Sequence, residues 1–151
     1  MKSVVALAAD HRGFELKEKT IPFLEEKGFR VIDFGTGSEK SCDYPDFVLK
    51  AAEAVRDKKA ARAIAICHSG IGSAIAANKV RGVRAALVQS VEQAALSRAH
   101  NDSNMLILGA GFIKPNQAKK MIETWLNTEF EGGRHARRVR KITEYERRKN
   151  G

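Results

Sequence analysis

The order of elements in the sequence predicts an α/β fold, a parallel sheet covered by helices on both faces. Three observations carry that expectation. Short apolar runs such as Val4 to Ala9 and Arg62 to Ile66 alternate with longer amphipathic stretches, as they do in βαβ units. Gly28 and the cluster Gly35-Thr36-Gly37-Ser38 sit between the two kinds of segment, where turns belong. No run is apolar for the length of a membrane span.

Taken in order, Val4 to Ala9 reads as a buried strand. Gly13 to Lys27 reads as an amphipathic helix with Phe14, Ile21, Phe23 and Leu24 as its apolar positions, closed by Gly28. Phe29 to Phe34 is a second strand. Tyr44-Pro45 marks a loop or a late helix start, and Asp46 to Asp57 a second helix. Arg62 to Ile66 is the third strand, followed by a helix from Ile71 to Lys79. Arg84 to Val88 and Met105 to Leu108 are strands, Val91 to His100 and Pro115 to Trp125 helices. Arg137 to Arg148 forms a terminal helix. In an open parallel sheet ligands bind beyond the carboxyl ends of the strands, where the winding reverses. If the first and third strands are neighbours there, Asp10-His11 and Cys67 to Gly72 meet.

The 151 residues suit one domain, 1–151, and 43% hydrophobic content is ordinary for a globular core. The run from Met1 to Ala9 is too short for a signal peptide and ends in Asp10-His11-Arg12. The expected location is therefore cytoplasmic. Cys42 and Cys67 do not make a disulfide framework. The net charge is +9, and the segment from Arg134 onward carries six of those charges. Such a tail reads as a solvated helix face, a nucleic-acid contact or a phosphate clamp. The interleaved aromatics of a nucleic-acid binder are missing.

The segment Cys67-His68-Ser69-Gly70-Ile71-Gly72 joins a strand to a helix through a glycine-containing turn. Turn amides and a helix start aim positive charge at one spot, and here a thiol stands beside it. A thiolate next to oriented amides can act as a base, so the segment fits proton transfer on an anionic substrate. Taken alone, Cys67 reads equally well as an inert core residue. Asp10 can simply accept backbone hydrogen bonds, His11 can be a surface residue, and His100 can cap its helix. Cys42 reads as incidental, and Asp43, Tyr44 and Asp46 as loop architecture, with Tyr44 near the substrate.

Five motifs stand in register: Asp10-His11; Asp43-Tyr44-Pro45-Asp46; Cys67 to Gly72 leading into Ile75-Ala76-Ala77-Asn78-Lys79; Ser97-Arg98-Ala99-His100-Asn101-Asp102; and Phe130-Glu131-Gly132-Gly133-Arg134-His135 with Arg138-Val139. In this order and spacing the chain resembles the type B ribose-5-phosphate isomerases and their galactose- and allose-6-phosphate relatives. The resemblance implies a Rossmann-like three-layer α/β/α sandwich with a five-stranded sheet. It implies interconversion of ribose 5-phosphate and ribulose 5-phosphate with no metal and no cofactor. It also implies a homodimer or homotetramer with shared active sites, the basic helix over about 135–149 packing on a partner subunit.

By the same resemblance, Cys67 is the base and His100 opens the sugar ring. Asp10, His11 and Asn101 contact the sugar, and His68, Ser69, Gly70, Ile71 and Gly72 form the anion hole. Arg134 and Arg138 bind phosphate, from the partner. The chemistry suits these residue types. An enediolate needs a base, oxyanion donors and a handle on the substrate, and a guanidinium fork matches a phosphate dianion. Two positions depart from the family pattern: His68 where a glycine is usual, and Gly111 where many members carry an arginine. A side chain at position 68 is costly if its φ must be positive. The rival expectations are the same reaction on a six-carbon sugar phosphate such as allose 6-phosphate, and a non-catalytic sugar-phosphate binding protein.

Overall fold

The structure, a computed structural model, describes residues 3–150. Met1, Lys2 and Gly151, which the expected 1–151 domain includes, lie outside the described residues, as do the side chains of Lys149 and Asn150. Strands β1 (Val4–Ala9), β2 (Arg30–Asp33), β3 (Arg62–Cys67), β4 (Ala85–Leu87) and β5 (Met105–Gly109) form one five-stranded sheet in the order β2-β1-β3-β5-β4. Every pairing in it is parallel. Helices α1 (Phe14–Glu26), α2 (Pro45–Arg56), α3 (Ile71–Ala77), α4 (Val91–Ala99), α5 (Pro115–Asn127) and α6 (Arg134–Asn150) complete the chain.

The two faces of the sheet are built from different side chains, because successive residues of a strand point opposite ways. Val5, Leu7, Ile64, Ile66, Leu106 and Leu108 face one side and pack against Leu16 and Leu24 of α1, Ala94 of α4 and Met121, Ile122 and Trp125 of α5. Ala6, Ala8, Ala63 and Ala65 face the other, where Val48, Ala51, Ala52 and Ala54 of α2 and Ala77 of α3 cover them. Alanine against alanine lets α2 lie close to the sheet. The large-residue face carries most of the apolar burial, at roughly 1.5–3 kcal/mol for each fully buried large side chain. Trp125 has no exposed surface, and its indole N–H donates to Ser103 Oγ at 2.8 Å.

Several elements differ from expectation for identifiable reasons. In α1 the inward positions are Leu16, Lys17, Thr20 and Leu24, while Phe14, Ile21 and Phe23 are only half-buried. Lys17 is fully buried because its ammonium pairs with Asp33 at 2.7 Å and Glu18 at 3.0 Å, which offsets the cost of desolvating it. Helix α3 stops at Ala77 rather than Lys79. The Asn78 side chain turns the chain there, donating to the carbonyls of Ala74 and Ala85 and accepting the N–H of Ala85. Helix α6 starts at Arg134, not Arg137, behind Gly132 and Gly133, both at positive φ.

The adjacency of β1 and β3 is observed. Helix α1 leaves β1 toward one face and α3 leaves β3 toward the other, so a crevice opens between them at their carboxyl ends. Among the described residues no helix is long and apolar enough to cross a membrane.

Candidate active site

Three loops meet beyond the carboxyl ends of β1, β3 and β5. Asp10 N–H donates to the Ile66 carbonyl, Ala110 N–H to that of Cys67, and Gly111 N–H to that of His68. Cys67 is the last residue of β3 and is 5% exposed. Its Sγ accepts the Gly70 N–H at 3.2 Å, a bond that is stronger when the sulfur is charged. Gly70 reaches this position at φ +81, and a Cβ there would fall 2.5 Å from Leu87 Cδ1.

The amides that follow divide their roles. Ile71 N–H donates to Ser69 Oγ at 3.2 Å. The N–H groups of Ser69, Gly72 and Ser73 find no acceptor among the described residues, as expected for the first turn of a helix. Helix α3 has only seven residues, so the positive potential comes from these loop amides more than from a long helix dipole. Tyr44 lies against the same loop: a Cβ on Gly72 would sit 2.4 Å from its Cζ.

Asp10 is buried, and its Oδ1 accepts the N–H groups of Arg12 at 2.9 Å and Gly13 at 3.1 Å. This fixes the loop after β1. His11 Nδ1 accepts the Cys42 N–H at 3.2 Å, with Cys42 Sγ 3.9 Å away. The backbone of Cys42 thus orients His11 and leaves Nε2 as the ring's free edge. His68 is exposed and does not have a positive φ, so the strain considered for that position is absent. Its ring instead lies over Gly111. Arg12, which the sequence did not single out, reaches it: Arg12 Nη2 is 3.2 Å from His68 Nδ1.

The remaining candidates form a second group. His100 closes α4, and its ring stacks on His135 with centroids 4.1 Å apart and planes 10° from parallel. His135 is buried, its Nε2 has no hydrogen-bond partner, and Glu131 Oε1 is 3.6 Å from it. Burial first, then the neighbouring His100, holds the His135 imidazole below its ordinary value. One ligand atom from each of His100, Glu131 and His135 lies within 4.8 Å of the others. An imidazole lone pair lies in the ring plane, however, so two stacked parallel rings do not aim both at one ion. Asn101 lines a cavity of about 460 Å³ beside β4, with Asn78, Arg84, Ile142 and Glu146. Arg134 and Arg138 are exposed on α6, with no carboxylate in salt-bridge reach among the described residues.

The two groups lie at opposite ends of the sheet. Cys67 pairs with Gly109 at the carboxyl end, whereas the carbonyl of Asn104, just after His100-Asn101, accepts the Ala63 N–H at the amino end. At about 3.3 Å per residue, the four steps from Ala63 to Cys67 alone span roughly 13 Å. One chain therefore does not bring His100 and Asn101 to Cys67, although the motifs read as a single set.

Comparison with known proteins agrees with this architecture. A family model described as Ribose/Galactose Isomerase matches residues 5–142. The chain is 42% identical over 146 residues to ribose-5-phosphate isomerase B of Escherichia coli (strain K12), covering 97% of this chain and 98% of the relative. It superimposes on ribose-5-phosphate isomerase B of Clostridium thermocellum with a TM-score of 0.94 and 48% identity, covering 96% and 98% of the two chains. The Mycoplasma genitalium enzyme, solved with bound ribulose-5-phosphate, gives a TM-score of 0.93 at 40% identity, with 97% of each chain covered. With most of its length matched by the family model and a relative this similar end to end, the chain belongs to the ribose/galactose isomerase family.

Proposed function

We propose that this protein is an aldose–ketose isomerase that interconverts ribose 5-phosphate and ribulose 5-phosphate through an enediolate. Cys67 Sγ takes the proton from one carbon of the C1–C2 pair and returns it to the other. The unpaired N–H groups of Ser69, Gly72 and Ser73 stabilise the enediolate oxygen, an interaction whose loss typically costs about 2.7–4 kcal/mol. His11, with Nδ1 occupied by Cys42, turns Nε2 to the sugar beside Asp10. The observation that carries this reading is the Gly70 N–H aimed at Cys67 Sγ, next to amides without acceptors among the described residues.

Ring opening and the phosphate contacts of Arg134 and Arg138 come from a second copy of the chain. His100, Asn101, Arg134 and Arg138 of one copy complete the Cys67 site of the other. The distance between the two groups within one chain supports this. So do the apolar residues left exposed beside each group, Ile71 and Ile75 by the Cys67 loop and Ile142 on α6. A two-fold pairing that joins one group to the other does so twice. Two free cysteines fit the reducing cytoplasm as the compartment.

Three assays test the proposal. Cys67→Ala should lower kcat on ribose 5-phosphate by about 10²-fold or more, and wild-type turnover in that variant ends the base assignment. Cys67→Ala and His100→Ala proteins, each inactive, should recover about a quarter of wild-type activity when mixed and allowed to exchange subunits, because half the dimers then hold one intact site. No recovery would put both residues in one chain's site. Arg134→Ala and Arg138→Ala should raise KM for ribose 5-phosphate more than they lower kcat.

A further inference from the structure

The loops after β1, β3 and β5 bring together Arg12, His68 and Gly111. Arg12 Nη2 lies 3.2 Å from His68 Nδ1. A guanidinium only donates, so Nδ1 accepts and the neutral ring carries its proton on Nε2. The imidazole is seated on Gly111: a Cβ built there would come within 2.3 Å of His68 Cε1 and 2.6 Å of Nδ1. Phe112 flanks the ring, with centroids 5.7 Å apart. His68 thus fills the space that a side chain at position 111 would take, and that seat fixes the nitrogen holding Arg12.

Arg12 is exposed, and among the described residues no carboxylate lies in salt-bridge reach of it. Its backbone is held separately, by Asp10 Oδ1, so the direction of the guanidinium depends on His68. A neutral acceptor orients a guanidinium without cancelling its charge. A carboxylate in that place would neutralise it.

We infer that Arg12 is a phosphate-contacting cation supplied to the Cys67 site from within its own chain, with His68 as the positioning residue and Gly111 as the seat. The inference rests on the reading of that crevice as a sugar-phosphate isomerase site. One guanidinium N–H is engaged by the imidazole, and the remaining donors are left to bond phosphate oxygens. Arg12 follows His11 directly and its partner His68 follows Cys67, so the contact between them joins the two loops that carry groups assigned to the reaction.

Arg12→Ala should raise KM for ribose 5-phosphate, and the inhibition constant of inorganic phosphate, about 10- to 100-fold. Its kcat should stay within about threefold of wild type. Gly111→Ala and His68→Ala should move the same two constants in the same direction, by less. Combining Gly111→Ala with Arg12→Ala should add nothing further, since both act through one contact. Unchanged KM and phosphate inhibition in Arg12→Ala overturn the inference, and additivity of the pair overturns the role of His68. Calorimetric titration of inorganic phosphate into wild type and Arg12→Ala reads the same contact without turnover. A wild-type protein that binds phosphate through Arg12 yet does not isomerise ribose 5-phosphate would sink the proposed function and leave this inference standing.

Discussion

The imidazole of His135 lies flat on that of His100, with ring centroids 4.1 Å apart and planes within 10° of parallel. Burial first, and then the proximity of the His100 ring, disfavour a positive charge on His135. Arg134 and Arg138 act in the same sense, while Glu131 opposes them. The stacked His135 ring holds the ring proposed to open the sugar in one orientation.

A pH dependence of stability follows. The folded-state pKa of His135 is lowered below the ordinary 6.5. The unfolded chain therefore takes up this proton first as pH falls, and its protonation favours unfolding. The contribution of His135 to stability is fully present above about pH 6.5. It is lost progressively as pH falls from there through the folded value. Urea midpoints at pH 7.5 and 5.5 check it. His135→Phe, which keeps a ring in the stack, should show a smaller drop between the two pH values than wild type. An equal drop would mean that other groups carry the effect.

Gly70→Ala should destabilise the protein by about 1–3 kcal/mol, because φ +81 is strained for an L-residue. The new methyl would also meet Leu87 Cδ1 at 2.5 Å. Since the Gly70 N–H is bonded to Cys67 Sγ, kcat should fall as well. Thermal melts and initial rates on ribose 5-phosphate read the two effects separately. A variant with normal stability and normal kcat would show that the turn does not tune the sulfur.

Trp125→Ala should cost about 3–5 kcal/mol in urea unfolding, the usual range for emptying a fully buried aromatic site. Trp125→Phe should cost less, mainly the loss of the N–H to Ser103 Oγ, about 1–3 kcal/mol. Both variants should keep kcat while folded, since Trp125 belongs to the α5 core and not to the crevice. A loss below about 1 kcal/mol for the alanine variant would mean the core collapses onto the gap.

Exhaustive treatment with EDTA should leave turnover of ribose 5-phosphate unchanged. The nearest approach to a metal-ligand set, His100, Glu131 and His135, holds its imidazoles face to face, and a metal would have to unstack them. Activity lost to chelator and restored by a divalent ion would overturn the acid–base reading of His100.

The alternation of apolar runs and amphipathic stretches made the layers and the strands legible, because burial on both faces leaves a local imprint on composition. The Ala6-Ala8 and Ala63-Ala65 pattern also encodes which face admits a close helix. The turn after Cys67 was legible for the same reason, since Gly70 answers a local demand for positive φ. Lys17 was not: its burial depends on Asp33, which lies on the neighbouring strand. The contact of Cys42 with His11 is likewise invisible along the chain, 31 residues apart.

Local periodicity thus set the elements, their order and the chemistry lodged in each loop, because each of these answers to residues close along the chain. The strand order β2-β1-β3-β5-β4 then settled which loops meet. It put Arg12, His68 and Gly111 in contact and joined His100 to His135, and it parted both histidines from Cys67. Those relationships depend on neighbours across the sheet and on the end of the sheet each loop occupies, which no spacing in the sequence records.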